Sequence, residues 1–312
     1  MRKRFAVACV LIALAACRGE APAPSSVPAA RPSILLVTLD TTRADSIGPE
    51  AIGVSTPAFD AVAARGRRFR QAYATAPETL PSHASMMTGL YPAGHGVHEN
   101  ARALAAAYPV AAERLKQAGY STAAFVSSFV LARQFGLARG FDVYDDELTQ
   151  AFRPAAQTRP APPAVERSAR ETTERAIAYL EQAPAGAPAL LWVHYFDPHA
   201  PYAPPEPFAS RLRAPPARAA YLGEIAAMDE QLGRLVQAFE RHAARRGVAP
   251  AIVIAADHGE GLGDHGESTH GNLLYQSTMH VPLVIAGPGV NPGVDEAPVS
   301  TRRVFHTLLD WA

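Results

Sequence analysis

Cysteine is almost absent from this chain: Cys9 and Cys17 are the only two, and both lie in the first 17 residues. Everything beyond them therefore has no disulfide, no thiolate metal ligand and no thiol nucleophile. Charge of one sign is lacking too. Twenty-nine Lys and Arg balance 29 Asp and Glu, for a formal net charge of +0. A surface of mixed sign does not attract a polyanion, so nucleic acid is not an implied partner. No apolar run reaches the roughly 20 residues of a comfortable membrane span, and no internal repeat is visible. What is present is 312 residues, 48% of them hydrophobic, enough for one large core or two modest ones.

The N-terminus reads as a targeting segment. Met1-Arg2-Lys3-Arg4 is a positive stretch, and Phe5 to Ala16 is apolar. It ends Leu14-Ala15-Ala16-Cys17, which resembles the cleavage box of bacterial lipoproteins. The expectation is a signal peptide over 1–16, lipidation of Cys17, and a Pro/Ala-rich tether completing 17–32. Two or three acyl chains hold a protein firmly at a bilayer, whereas one is marginal. Extended at 3.1 Å per residue, such a tether lifts a domain up to about 45 Å. The expected location is the bacterial cell envelope, lipid-anchored and facing the periplasm or exterior, with the membrane as a partner through that anchor.

From Ser33 onward the chain reads as globular. Ile34 to Leu39 is a continuous apolar run, as in a strand buried on both faces. Thr56-Pro57 opens a helix that runs to about Arg65, with Gly66 ending it. A helix start is expected at Pro81, with Thr79 just before it. Helices follow at about 107–118, 165–182, 217–243 and 301–311, and strands at 121–128, 189–195, 251–255 and 281–286. A Pro-rich stretch at 153–164 reads as a surface insertion. Alternating strands and helices predict an α/β fold with a largely parallel central sheet.

In open α/β sheets, ligands bind beyond the carboxyl ends of strands. Three polar clusters fall there: Asp40, Asp197-Pro198-His199, and Asp257-His258-Gly259-Glu260. An Asp after a strand often only caps the next helix; three such clusters with Thr79 before a helix are harder to explain that way. Asp40, Asp257 and His258 offer two carboxylates and an imidazole, a set suited to one divalent cation such as Mn²⁺, Mg²⁺, Ca²⁺ or Zn²⁺. Thr79 would complete it, its hydroxyl made acidic by the ion. A tetrahedral anion, as in a phosphate or sulfate ester, is the natural ligand there.

These residues also carry a family resemblance. The run Thr79-Leu80-Pro81-Ser82-His83, followed by Thr88-Gly89, has the shape of the sulfatase active-site signature, in which Cys or Ser stands first and Arg fifth. With 33–45, 56–60, Leu90-Tyr91-Pro92, 197–202, 257–260 and 270–283, it makes the chain resemble the sulfatases of the alkaline phosphatase superfamily over about residues 33–310. That implies an alkaline-phosphatase-like three-layer sandwich, with helices on both faces of the sheet, as a catalytic domain over 33–312. Val304 to Trp311 looks like the helix preceding a small C-terminal subdomain of many relatives, which is therefore expected to be missing.

The resemblance assigns Asp40, Thr79, Asp257 and His258 to the metal, Thr79 and His199 to catalysis, and His83, Asn100 and His270 to substrate. It also departs from the pattern. Threonine cannot be oxidised to formylglycine, since its Cβ carries a methyl group; Thr41 stands where a second aspartate is usual; and Val126-Ser127-Ser128-Phe129 replaces a Gly-Lys-Trp-His segment. Asp-Thr-Asp-His is instead the pattern of phosphodiesterase and phosphoglycerol-transferase branches. The expectation is a metal-dependent hydrolase of small-molecule or glycan sulfate or phosphate esters, without formylglycine. A transferase acting on envelope glycans and a non-catalytic binding protein remain open. Asp197 is expected to orient His199 or to join a second metal.

Overall fold

The structure is a computed structural model that describes residues 30–148, 166–211 and 216–312. The expected leader, Cys17, the tether up to residue 29 and the Pro-rich stretch at 153–164 lie outside those residues.

The strands are β1 (Ile34–Leu39), β2 (Arg67–Tyr73), β3 (Ser121–Phe125), β4 (Val143–Asp145), β5 (Ala189–Tyr195), β6 (Ala251–Ala256), β7 (His280–Ala286), β8 (Gly293–Asp295) and β9 (Val299–Ser300). The helices are α1 (Pro57–Arg65), α2 (Thr79–Thr88), α3 (Pro92–His95), α4 (Ala111–Gln117), α5 (Ala169–Gln182), α6 (Phe208–Arg211), α7 (Pro216–Ala244), α8 (Gln276–Met279) and α9 (Val304–Asp310). The strands form one sheet in the order β4-β3-β5-β1-β6-β7-β2-β8, with β9 also on β2. The sheet is mostly parallel; the antiparallel pairs are β6 with β7 and β7 with β2. This is the alkaline-phosphatase-like α/β fold that the sequence predicts.

β1 lies at the centre, parallel to both β5 and β6, and every residue of the three is buried. That is why they read as unbroken apolar runs rather than alternating ones. Successive residues face opposite sides of a sheet, and two side-chain contacts show helices on both. Thr173 of α5 reaches the Tyr195 hydroxyl at 2.6 Å on one face. On the other, His83 of α2 contacts Thr38 of β1 at 3.0 Å. Among the described residues, no helix is long and apolar enough to cross a membrane.

Several boundaries differ from expectation, each for a local reason. α2 begins at Thr79 itself, two residues before Pro81, so the threonine occupies the first turn. α5 begins at Ala169, where the Ser168 hydroxyl accepts from the Glu171 amide at 3.2 Å. The final helix splits into a 3-10 turn over Thr301–Arg303 and α9. β2 escaped notice because Arg67, Arg68 and Arg70 obscure its pattern; Arg68 pairs with Glu50, and Arg70 with Glu296 at 3.0 Å.

Candidate metal and active site

The register of the three central strands brings the polar clusters together. Leu39 pairs with Tyr195 on one side and Ala256 on the other, so the next residues along, Asp40, Phe196 and Asp257, leave the same edge side by side. Backbone bonds hold this edge: the Asp40 amide donates to the Tyr195 carbonyl at 2.9 Å, and the Asp257 amide to the Leu39 carbonyl at 3.2 Å. α2 arrives from one face and is pinned there by the Ser82 hydroxyl, which donates to the Asp257 carbonyl at 2.6 Å.

Asp40, Thr79, Asp257 and His258 converge at this edge. Thr79 Oγ1 lies 3.4 Å from Asp40 Oδ2 and 3.3 Å from His258 Nε2. His258 Nε2 lies 3.6 Å from both Asp40 Oδ1 and Asp257 Oδ2. His258 Nδ1 is 2.9 Å from the Gly259 carbonyl, which can only accept, so Nδ1 carries the proton and Nε2 presents a lone pair. That lone pair faces two carboxylates whose Asp40 Oδ1 and Asp257 Oδ2 have no hydrogen-bond partner despite complete burial.

Such an arrangement of acceptors is unfavourable unless a positive charge sits among them. Burial, then the neighbouring Asp40 charge, pushes the Asp257 carboxyl far above its usual range. Burial raises Asp40 as well, against the opposing influence of His199, His270 and His83. Burial followed by His270 pulls His258 well below the ordinary imidazole value, keeping it neutral as a ligand must be. Two carboxylates, a neutral imidazole and a hydroxyl fit a divalent cation.

Around this centre the remaining candidates take different positions. Asn100 Oδ1 accepts from the Leu80 amide at 2.9 Å, and the Asn100 amide donates to Glu78 Oε2 at 2.8 Å, so this pair clamps the first turn of α2. His83 is placed differently from the expected substrate contact. Its Nδ1 meets the Thr79 carbonyl at 2.7 Å and its Nε2 meets Thr38 Oγ1 at 3.0 Å, occupying both nitrogens in a fully buried ring. Burial, then His194, pulls His83 down to about 3. It supports Thr79 from beneath, so the expectation that it holds an ester oxygen is not carried forward.

His199 and His270 form the more accessible side. His199 stacks on Phe196 with centroids 4.2 Å apart, and its Nδ1–H donates to the Ala200 carbonyl at 2.8 Å, so that in the neutral ring Nε2 carries the lone pair. Burial lowers its pKa, while the Asp40 charge works the other way. The His270 ring lies 5.2 Å from that of His199 and 4.4 Å from that of His258. Burial would lower His270, but Glu260 Oε1 at 3.2 Å from Nδ1 outweighs it and the net shift is upward.

Asp197 caps rather than joins: its Oδ2 accepts from the Ala169 amide at the start of α5, at 2.7 Å. Thr41 sits in the left-handed region at φ 47, and its hydroxyl donates to the Pro198 carbonyl, fastening the His199 loop to the end of β1.

Two residues of the site were not singled out from sequence. His194 lies one residue before the end of β5, fully buried, with Nε2 3.4 Å from Asp40 Oδ2. Glu260 was quoted in its motif without a role. Its carboxylate is buried and accepts from His270 Nδ1, the Tyr202 hydroxyl at 2.8 Å and the Gly261 amide at 3.1 Å.

Known proteins resemble this chain in sequence and in fold. A choline-sulfatase of Rhizobium meliloti is 25% identical over 351 residues, covering 90% of this chain and 68% of that protein. The uncharacterized sulfatase YidJ of Escherichia coli is 24% identical over 343 residues, with the same two coverages of 90% and 68%. In fold, the chain is similar to a phosphonate monoester hydrolase of Agrobacterium radiobacter, with a TM-score of 0.73 at 24% identity over 90% of this chain and 73% of that one. The family model described as Sulfatase matches residues 32–312, and the chain belongs to the sulfatase family.

Proposed function

We propose that this protein is a metal-dependent hydrolase of sulfate or phosphate-type esters in which the Thr79 hydroxyl, not a formylglycine, is the nucleophile. One observation carries the reading: Thr79 Oγ1 stands at 3.3–3.4 Å from a neutral imidazole and a carboxylate that, with Asp257, are arranged for a cation. Relatives named for sulfatase and phosphonate hydrolase activity support the ester class.

Asp40, Asp257, His258 and Thr79 would hold the ion. When bound, it supplies the positive charge that makes the threonine hydroxyl acidic and offsets charge on the ester oxygens. The rest falls to the chain's own groups. Thr79 releases its proton to water, and Oγ1 attacks the sulfur or phosphorus. A bond forms from Oγ1 to that atom as the bond to the alcohol oxygen breaks. His199, protonated at Nε2, gives its proton to the departing oxygen; an anionic ester beside it favours the charged imidazole, as Asp40 does. His270, held by Glu260, and the Nδ2 group of Asn100 donate to the non-bridging oxygens. Water then attacks the Thr79 ester, neutral His199 takes its proton, and as its bond to sulfur or phosphorus breaks Oγ1 takes back a proton from water, restoring the hydroxyl. Uncatalysed ester hydrolysis of this kind is slow enough that the site must lower the barrier by about 20 kcal/mol.

An alkoxide intermediate serves phosphorus well, because the resulting threonine ester is itself opened by attack at phosphorus. Turnover of an aryl sulfate, a phosphate monoester and a phosphodiester, each with Mn²⁺, Mg²⁺, Ca²⁺ and Zn²⁺ in turn, tests the reading. Metal-dependent turnover of one class supports it and identifies the central atom; binding of metal with no turnover of any ester would replace it with a binding protein.

The proposed setting is the cell envelope, with Cys17 lipidated; the apolar run ending in Ala16-Cys17 supports this. Release from the membrane fraction on Cys17→Ala is the expected result, and unchanged fractionation would contradict it.

A further inference from the structure

Three buried side chains beneath Thr79 form, with its own carbonyl, a chain of hydrogen bonds whose direction is fixed by its two ends. Trp192 Nε1 lies 2.9 Å from Thr38 Oγ1, and an indole nitrogen can only donate. The next contact, from Thr38 Oγ1 to His83 Nε2, is 3.0 Å. His83 Nδ1 is then 2.7 Å from the Thr79 carbonyl, which can only accept. Trp192, Thr38 and His83 are all 0% exposed, and Thr79 is 3% exposed, so water does not compete for these bonds.

A donor-only group at one end and an acceptor-only group at the other leave one consistent arrangement. The indole N–H donates to the Thr38 oxygen, the Thr38 O–H donates to Nε2, and Nδ1–H donates to the Thr79 carbonyl. Asp257 Oδ2 lies 3.5 Å from Nδ1 on the same side but makes no hydrogen bond to it, so the Thr79 carbonyl is the acceptor that fixes this tautomer. The strand pattern provides the platform. Thr38 and Trp192 lie on adjacent parallel strands, in register positions 38↔194 and 36↔192, and point to the face that α2 covers.

We propose that Trp192 and Thr38 are positioning residues for the nucleophile: they fix His83 as its Nδ1–H tautomer, and His83, one turn further along α2, holds the Thr79 carbonyl so that Oγ1 faces Asp40 and His258. The catalytic part of this inference rests on Thr79 being the nucleophile; the hydrogen-bond part does not. With the relay broken, Thr79 keeps its hydroxyl and its place in the first turn of α2 but loses the side-chain support of its carbonyl. The effect should fall on the chemical step more than on substrate binding.

The test compares Thr38→Ser with Thr38→Val in the full chain labelled with ¹⁵N-histidine and ¹³C-carbonyl threonine. Serine keeps the hydroxyl and loses a methyl group; valine keeps the shape and loses the hydroxyl. The relay predicts Nδ1 protonated and Nε2 unprotonated for His83 in the wild type and in Thr38→Ser, with the Thr79 carbonyl shift unchanged between them. Thr38→Val should disturb both signals. It should also lower kcat by at least about tenfold, with KM within about threefold, while Thr38→Ser stays close to wild type.

A packing role alone would make serine the worse variant, and that ranking overturns the proposal. So does a wild-type His83 protonated at Nε2. If the wild type hydrolyses no ester, the Thr79 mechanism fails, and the labelled signals still decide whether the relay exists. If Thr38→Val does not fold, Trp192→Phe removes the terminal donor while keeping an aromatic ring, and the same shifts and kcat loss are expected; wild-type signals and kcat in that variant overturn the proposal.

Discussion

Thr79 Oγ1 stands 3.3 Å from His258 Nε2, and that nitrogen has no proton to offer, because His258 Nδ1–H already donates to the Gly259 carbonyl at 2.9 Å. The threonine hydroxyl is therefore the donor in any bond between them, and it faces acceptors on more than one side, since Asp40 Oδ2 is 3.4 Å away. A hydroxyl surrounded by acceptors, with unsatisfied carboxylate oxygens beside it, is placed to lose its proton once a cation joins them.

The first consequence concerns stability. The Asp257 carboxyl is raised in the folded protein, so without metal it favours the protonated form. A group whose folded pKa is raised contributes stability that is full below its unfolded value, about 4 for Asp, and lost as pH rises through the folded value. Metal-free protein should lose stability as pH climbs above about 4. A binding cation should reverse that loss and add about 2.7 kcal/mol at a hundred times its Kd. Thermal unfolding across pH, with chelator and with each ion, checks this; Asp40→Asn should weaken the metal-dependent shift, and an ion-independent Tm would contradict it.

Glu260 should govern the alkaline limb of activity. Its carboxylate holds His270 above the ordinary imidazole value, so the imidazolium persists to higher pH than an ordinary histidine and is lost as pH rises through that raised value. Glu260→Gln removes the charge but keeps one acceptor oxygen, for the Gly261 amide and His270, and places an NH2 donor against the Tyr202 hydroxyl oxygen. The alkaline limb of kcat/KM should then move to lower pH, and the variant should bind anionic esters less well. A pH–rate profile unchanged by the substitution would contradict the assignment.

Arg167 offers a test of the scaffold. Its side chain is fully buried, 2.7 Å from Asp145 Oδ1, and it also donates to the Val126 carbonyl at 2.9 Å and the Thr172 hydroxyl at 3.1 Å. This ties β4 to α5 behind the His194 strand. Arg167→Met leaves Asp145 with the Arg175 guanidinium at 3.3 Å and strands the carbonyl; a loss of about 3–5 kcal/mol is expected for breaking a buried pair from one side. Chemical denaturation measures it, and a loss below about 1 kcal/mol would place this pair with ordinary surface bridges.

The centre of the site was legible in the sequence because strand ends are. Asp40 and Asp257-His258 each follow an unbroken apolar run, and parallel pairing brings such ends to one edge. His83 was misplaced because a sequence gives a residue's chemistry but not the direction of its ring; on α2 the ring turns inward to Thr38. His194 was missed because one imidazole within the apolar run of β5 reads as core. The available signal was its alternation with Trp192 on the strand beside Thr38, a polar stripe on one face of the sheet. β2 was hidden by three arginines, two of which, Arg68 and Arg70, reach outward to Glu50 and Glu296. Glu260 stood in plain view within its motif, but only the fold brings Tyr202 and His270 to its two oxygens.

The most direct test of the central claim is the state of Thr79 during turnover. Protein quenched with substrate should yield a Thr79 peptide carrying the mass of the transferred sulfate or phosphoryl group. Thr79→Ala should show neither the adduct nor turnover above about a thousandth of wild type. Full activity in Thr79→Ala, or an adduct on another residue, would contradict the threonine mechanism.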